Sequence, residues 1–178
     1  MRGRSASTVF VLILVAVGLG CRPETPAGRL ARELKGAFPE RASPTGTVRT
    51  FDIEAREAEL ALIDGGKLRV WAYNGSVPGP ELRIRLGETL RVRFTNRLPQ
   101  PTTIHWHGVR VPNAMDGVPY VTQPPVEPGG SFTYEFTPKD AGTFWFHPHI
   151  RSSEQVERGL YGVLVVEEIG RASCRERV

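Results

Sequence analysis

From residue 48 onward apolar and polar side chains alternate. Glu81-Leu82-Arg83-Ile84-Arg85-Leu86 puts an apolar residue at every second position, Gly87-Glu88 interrupts, and Thr89-Leu90-Arg91-Val92-Arg93-Phe94 resumes the pattern. Period two marks a strand with one buried face. Leu82, Ile84, Leu86, Leu90, Val92 and Phe94 are therefore assigned to a core, and Arg83, Arg85, Arg91 and Arg93 to a solvated face. Glu54, Glu57 and Glu59 are expected to neutralise those arginines from a neighbouring strand. Further strands are predicted at 48–56, 59–63, 67–73, 102–107, 130–136, 142–148 and 160–167. Asp64-Gly65-Gly66, Asn74-Gly75, Pro78-Gly79-Pro80 and Pro128-Gly129-Gly130 supply turns between them. Eight or nine short strands in about 120 residues predict one all-β domain, a Greek-key β-sandwich, without an internal repeat.

The first 47 residues follow a different pattern. Arg2 and Arg4 precede the uninterrupted apolar stretch 9–20, and Cys21 follows Gly20 directly. Twelve apolar residues fall short of the ~20 that span a bilayer. A basic start, a short apolar stretch and small residues at its end describe a secretory signal over 1–20. The Gly20-Cys21 junction resembles a bacterial lipoprotein cleavage site, with Cys21 lipidated as the first mature residue; cleavage without a lipid is the alternative. Either route exports the protein to the periplasm or cell envelope. Residues 21–47 hold Pro23, Pro26, Pro39 and Pro44, with a short helix expected at 30–38, and read as a tether between anchor and domain.

The other terminus is expected not to belong to the domain. Residues 169–178, Ile-Gly-Arg-Ala-Ser-Cys-Arg-Glu-Arg-Val, back-translate naturally to a string resembling a short-read sequencing adapter, so the natural coding sequence is expected to continue past Glu168. This changes the electrostatics. The whole chain carries a formal charge of +4, from 23 basic and 19 acidic residues. Without Arg2, Arg4, Arg171, Arg175, Arg177 and Glu176 the balance is 18 to 18. Residues 21–168 are thus formally neutral, which argues against a nucleic-acid partner. The two cysteines, Cys21 and Cys174, both lie outside 48–168, so a metal site there must use other ligands.

Those ligands are at hand. The chain's four histidines form two pairs, His105-Trp106-His107 and His147-Pro148-His149. On a strand, residues two apart share a face about 6.6 Å apart at Cα, so each pair presents two imidazoles side by side. A single buried histidine is ordinarily a satisfied core residue; two identical pairs that exhaust the chain's histidines point to metal. Imidazole binds Cu, Zn, Ni and Fe, so ligand type alone does not choose among them. Pro148 lacks a backbone donor and suits a strand end.

Tyr73-Asn74-Gly75-Ser76-Val77-Pro78-Gly79-Pro80, His105-Trp106-His107-Gly108, Asp116-Gly117, His147-Pro148-His149, Gln155 and Gly159-Leu160-Tyr161-Gly162 together resemble the first cupredoxin domain of a multicopper oxidase, the family of laccases and bacterial copper oxidases. The likeness runs over 48–168 and implies a cupredoxin-like fold. It also implies that the two pairs supply half the histidines of a trinuclear copper cluster that reduces O2 to water. By position, His105 would bind the type 2 copper, His107 and His147 one type 3 copper, and His149 the other. Asp116 matches an acidic residue tied to proton delivery, with a plain Asp-Gly turn as the alternative. Gln155 and the Gly-Leu-Tyr-Gly stretch are expected to shape the loop. A type 1 copper needs a cysteine, so it and the remaining ligands would lie in a further cupredoxin domain, and the chain alone would be inactive. The reductant would be a phenol-like molecule or a metal ion. The competing readings are a non-catalytic cupredoxin-like scaffold of the cell envelope and a zinc hydrolase, which needs an open coordination position and a nearby base.

Overall fold

The computed structural model of the chain describes Thr25 and residues 43–168. The signal 1–20, Cys21, the expected helix 30–38 and residues 169–178 lie outside the described residues. Among the described residues, eight strands form two four-stranded sheets. They are β1 (Val48–Ala61), β2 (Lys67–Tyr73), β3 (Leu82–Arg85), β4 (Thr89–Asn96), β5 (His105–His107), β6 (Ser131–Phe136), β7 (Gly142–His147) and β8 (Gly162–Glu167). The orders are β2-β1-β4-β6 and β3-β8-β7-β5. β1 runs parallel to β4 and β3 parallel to β8, while the other neighbours are antiparallel. This is the expected all-β sandwich.

The alternation sorts side chains as expected. Leu82, Ile84, Leu86, Leu90, Val92 and Phe94 are all buried between the sheets, with Ile53, Tyr134, Phe146 and Leu164. At about 1.5–3 kcal/mol for each large apolar side chain removed from water, this shared core is what makes the two sheets one unit. Asn74 and Gly75 adopt positive φ of 52° and 82° and let the chain turn between β2 and β3. The Asn74 side chain accepts from the Glu54 N–H at 2.7 Å and donates to the Asp52 carbonyl at 2.9 Å, satisfying the open edge of β1.

Three expectations are corrected. Segments 48–56 and 59–63 are not two strands: β1 continues to Ala61, because Ala55–Ala61 keeps pairing with β2 past the end of β4. The arginine partners also differ. Arg93 meets Asp52, Arg91 meets Glu135, and Arg83 meets Glu81 and Glu167. The parallel register sets Asp52 opposite Arg93, so Glu54 instead reaches Arg97, and Glu59 reaches Lys67. Residues 102–104 are not strand; Thr102 makes only an isolated bridge to Val126 before β5 begins. A six-residue helix, α1 (Ser152–Glu157), follows the second histidine pair. Among the described residues no helix is long and apolar enough to cross a membrane.

Candidate metal centre

β5 and β7 pair with His105 opposite His147, Trp106 opposite Phe146 and His107 opposite Trp145. Successive side chains alternate between faces. Trp106 and Phe146 turn inward, 1% and 0% exposed, which leaves His105, His107, Trp145 and His147 on the outer face. His149 joins them from just beyond β7, its ring centroid 4.3 Å from that of His105 and 5.3 Å from that of His147. One ring nitrogen each from His105, His147 and His149 fall within 4.8 Å of one another. His107 Nδ1 lies 3.3 Å from His147 Nε2. All four predicted histidines therefore converge.

Backbone carbonyls choose the tautomers. His105 Nδ1 donates to the Asp116 carbonyl at 2.8 Å, and His147 Nδ1 donates to the Pro148 carbonyl at 3.0 Å. A carbonyl only accepts, so in both rings the proton sits on Nδ1 and Nε2 keeps its lone pair for a metal. His107 is different: its Nδ1 faces the His147 lone pair and donates to it. For His107 to bind through that nitrogen, the proton must leave Nδ1 and the ring must carry it on Nε2. Burial pushes the His147 pKa down to about 4, against the opposing pull of the Pro148 carbonyl and with help from the neighbouring imidazoles. Burial also lowers that of His149, with His105 adding to the shift and Asp116 opposing it. Both are held in the neutral form that ligates metal.

Several residues fix the two histidine strands. Asp116 lies at the end of a single 3-10 turn, Asn113–Met115, and Gly117 follows at φ +76°. A Cβ at Gly117 would stand 1.8 Å from the Ile104 carbonyl oxygen, so only glycine lets the Asp116 carbonyl reach His105. The Asp116 carboxylate Oδ1 stands 3.4 Å from the same His105 nitrogen, which places this predicted residue at the site's margin. Fully buried Gln155 on α1 accepts from the Thr102 hydroxyl at 2.7 Å and donates to the Pro101 carbonyl at 3.0 Å. The Thr103 hydroxyl accepts from the His149 N–H at 3.3 Å. The threonines were not singled out from the sequence, where Thr102-Thr103 reads as ordinary strand composition. Predicted Cys21 lies outside the described residues.

The donor set is entirely imidazole, since the described residues include no cysteine. Neutral nitrogen donors within a few ångströms of one another, two of them with tautomers preset, fit copper. The multicopper oxidase family profile matches residues 54–170. The chain belongs to the multicopper oxidase family. It is 37% identical over 170 residues to copper resistance protein A of Pseudomonas syringae pv. tomato, an alignment covering 94% of this chain and 26% of that protein. It is 41% identical over 126 residues to laccase-1 of Cryptococcus neoformans var. grubii, covering 69% of this chain and 19% of that one. A crystal structure of a multicopper oxidase from Pseudomonas thermotolerans superposes with a TM-score of 0.68 at 52% identity, over 70% of this chain and 30% of the other. The fold is thus cupredoxin-like, and copper is the cofactor that membership implies. The chain spans only about a fifth to a quarter of the length of these curated relatives.

Proposed function

We propose that residues 48–168 are the first cupredoxin domain of an exported multicopper oxidase, a copper-dependent oxidoreductase. His105, His107, His147 and His149 supply half the ligands of a trinuclear copper cluster that it shares with a further cupredoxin domain of the same protein. The observation that carries this reading is the convergence of two His-x-His pairs on one outer sheet face, with three ring nitrogens within 4.8 Å. His105 is assigned to the type 2 copper, His107 and His147 to one type 3 copper and His149 to the other. The 3.3 Å approach of His107 Nδ1 to His147 Nε2 supports their sharing one ion, since metal–nitrogen bonds of about 2.0–2.1 Å admit two donors at that separation. Bound copper would supply the redox chemistry by which O2 is reduced to water with electrons from a phenol-like or metal-ion substrate.

The chain's own residues prepare the ligands. The Asp116 and Pro148 carbonyls hold protons on the Nδ1 atoms of His105 and His147, so both rings offer Nε2. The Asp116 carboxylate, partly exposed beside His105, is placed to hand protons toward the oxygen-reducing face. The second cupredoxin domain provides the type 1 copper cysteine and the remaining histidines, in keeping with the fraction of the relatives' length that this chain covers. Residues 1–20 act as the export signal, Cys21 as a lipid anchor in the periplasm or cell envelope, and 21–47 as the tether.

Metal analysis of the full-length protein with O2 uptake tests this. Copper is expected, with turnover of a laccase substrate. Replacing His147 and His149 together by Ala should abolish O2 uptake and leave the intense blue thiolate band, because that copper is held outside this chain. The chain by itself should consume no O2. Zinc or no metal in the full protein, or sustained turnover by this chain alone, would overturn the proposal.

A further inference from the structure

The outer face of the β5–β7 pair is a two-by-two block in which three corners are imidazoles and the fourth is an indole. Trp145 stands beside His147 on β7 and directly opposite His107 on β5. Its ring stacks on His147 at 3.9 Å between centroids with planes 24° apart, and leans on His107 at 5.1 Å and 40°. The chain's other tryptophans, Trp71 and Trp106, are 5% and 1% exposed, whereas Trp145 is 38% exposed. This indole is not a core residue; its flat face is spent on two histidines.

The torsion that turns an imidazole about its Cβ–Cγ bond is broad and nearly two-fold, so contacts decide which nitrogen faces a site. For His105 and His147 a backbone carbonyl makes that choice. For His107 the polar partner is His147 itself, and the wall against which the ring rests is Trp145. A half-turn of His107 would put Cδ2 where Nδ1 stands and withdraw the donor that faces His147. We propose that Trp145 is a positioning residue of the metal centre: its indole fixes the ring planes of His147 and His107, so that Nε2 of one and Nδ1 of the other converge. The copper in this statement rests on the function proposed above; the ring positioning does not.

Two measurements on the chain separate the two ideas. Imidazole nitrogen–proton correlation spectra of the metal-free chain read which nitrogen of each ring carries the proton, and calorimetric titration with copper(II) against a competing chelator reads affinity. Trp145→Ala should collapse the distinct His107 nitrogen signals toward an average and weaken copper(II) binding by about 10-fold, the scale typical of residues that orient a ligand. Trp145→Phe, which keeps a flat aromatic wall, should restore the signals and hold affinity within about 3-fold. The metal-free melting temperature should move little in either variant, because Trp145 lies on the outer face. If the parent chain takes up no copper(II) but the ring signals still shift in the Ala variant and return in the Phe variant, the positioning stands and the copper reading falls. Averaged His107 signals in the parent, or unchanged signals and affinity in Trp145→Ala, would overturn the proposal.

Discussion

Changing Gln155 to Leu keeps most of the side-chain volume and deletes two hydrogen bonds at a fully buried position. The Thr102 hydroxyl loses its 2.7 Å acceptor and the Pro101 carbonyl its 3.0 Å donor. A buried polar group left unpaired costs about 1–3 kcal/mol. The hydroxyl can rotate toward the Thr103 carbonyl, already 3.5 Å away, which recovers part of its share. The net loss is then about 2–3 kcal/mol, and at about 4 °C per kcal/mol for a domain of this size the melting temperature should fall by about 8–12 °C. The lost bonds also tie α1, directly after the second histidine pair, to the segment that leads into the first. Copper(II) affinity of the surviving folded fraction should therefore fall as well. Scanning calorimetry of Gln155→Leu with a parallel copper titration checks both. A melting temperature within about 2 °C of the parent would refute the view that this buried amide pins the two histidine segments together.

Gly117→Ala combines a left-handed φ, which costs a non-glycine residue about 1–2 kcal/mol, with a Cβ 1.8 Å from the Ile104 carbonyl oxygen. The denaturation midpoint should drop by the equivalent of about 3 kcal/mol or more, followed by circular dichroism. Asp116→Asn leaves the backbone carbonyl that holds His105 but removes the acid. In the full-length protein, copper content should stay at the parent level while O2 turnover falls at least about 10-fold, within the range of a lost proton-transfer group. Unchanged turnover would reduce Asp116 to a turn residue.

What the sequence made legible is what period two can encode. The inward apolar positions, the outward arginines and the shared face of His105 and His107 follow from alternation along single strands, and the structure places them so, whereas His149 joins from just beyond the end of β7. Relations between strands are different, because a register is set by the whole sheet. Arg93 therefore meets Asp52 rather than a glutamate two residues on, and His105 sits directly across from His147, neither of which any local pattern states. The tautomer-setting partners were hidden for another reason: a backbone carbonyl exists at every residue, so nothing marks those of Asp116 and Pro148. Helix α1 was missed because Ser152–Glu157 has no apolar periodicity, burying only Gln155.

The four histidines are not held with equal stiffness. His105 and His147 face each other across a ladder, which sets their side chains at about 4.5–5.5 Å by strand spacing alone, and each has its Nδ1 tied to a carbonyl. The two carbonyls fix which nitrogen each ring presents, and the Trp145 indole sets the plane of the His147 ring. His149 lies past the last strand residue, its backbone held by the Thr103 hydroxyl at 3.3 Å, in the segment that Gln155 anchors from α1. His107 is placed by the ladder, but its ring is turned by aromatic contact. A perturbation of the helix should therefore reach His149 first, whereas one at Trp145 should reach His107 and His147. Burial holds the rings of His147 and His149 toward the neutral form, and for a metal to enter between His107 and His147 the proton on His107 Nδ1 must first move to Nε2.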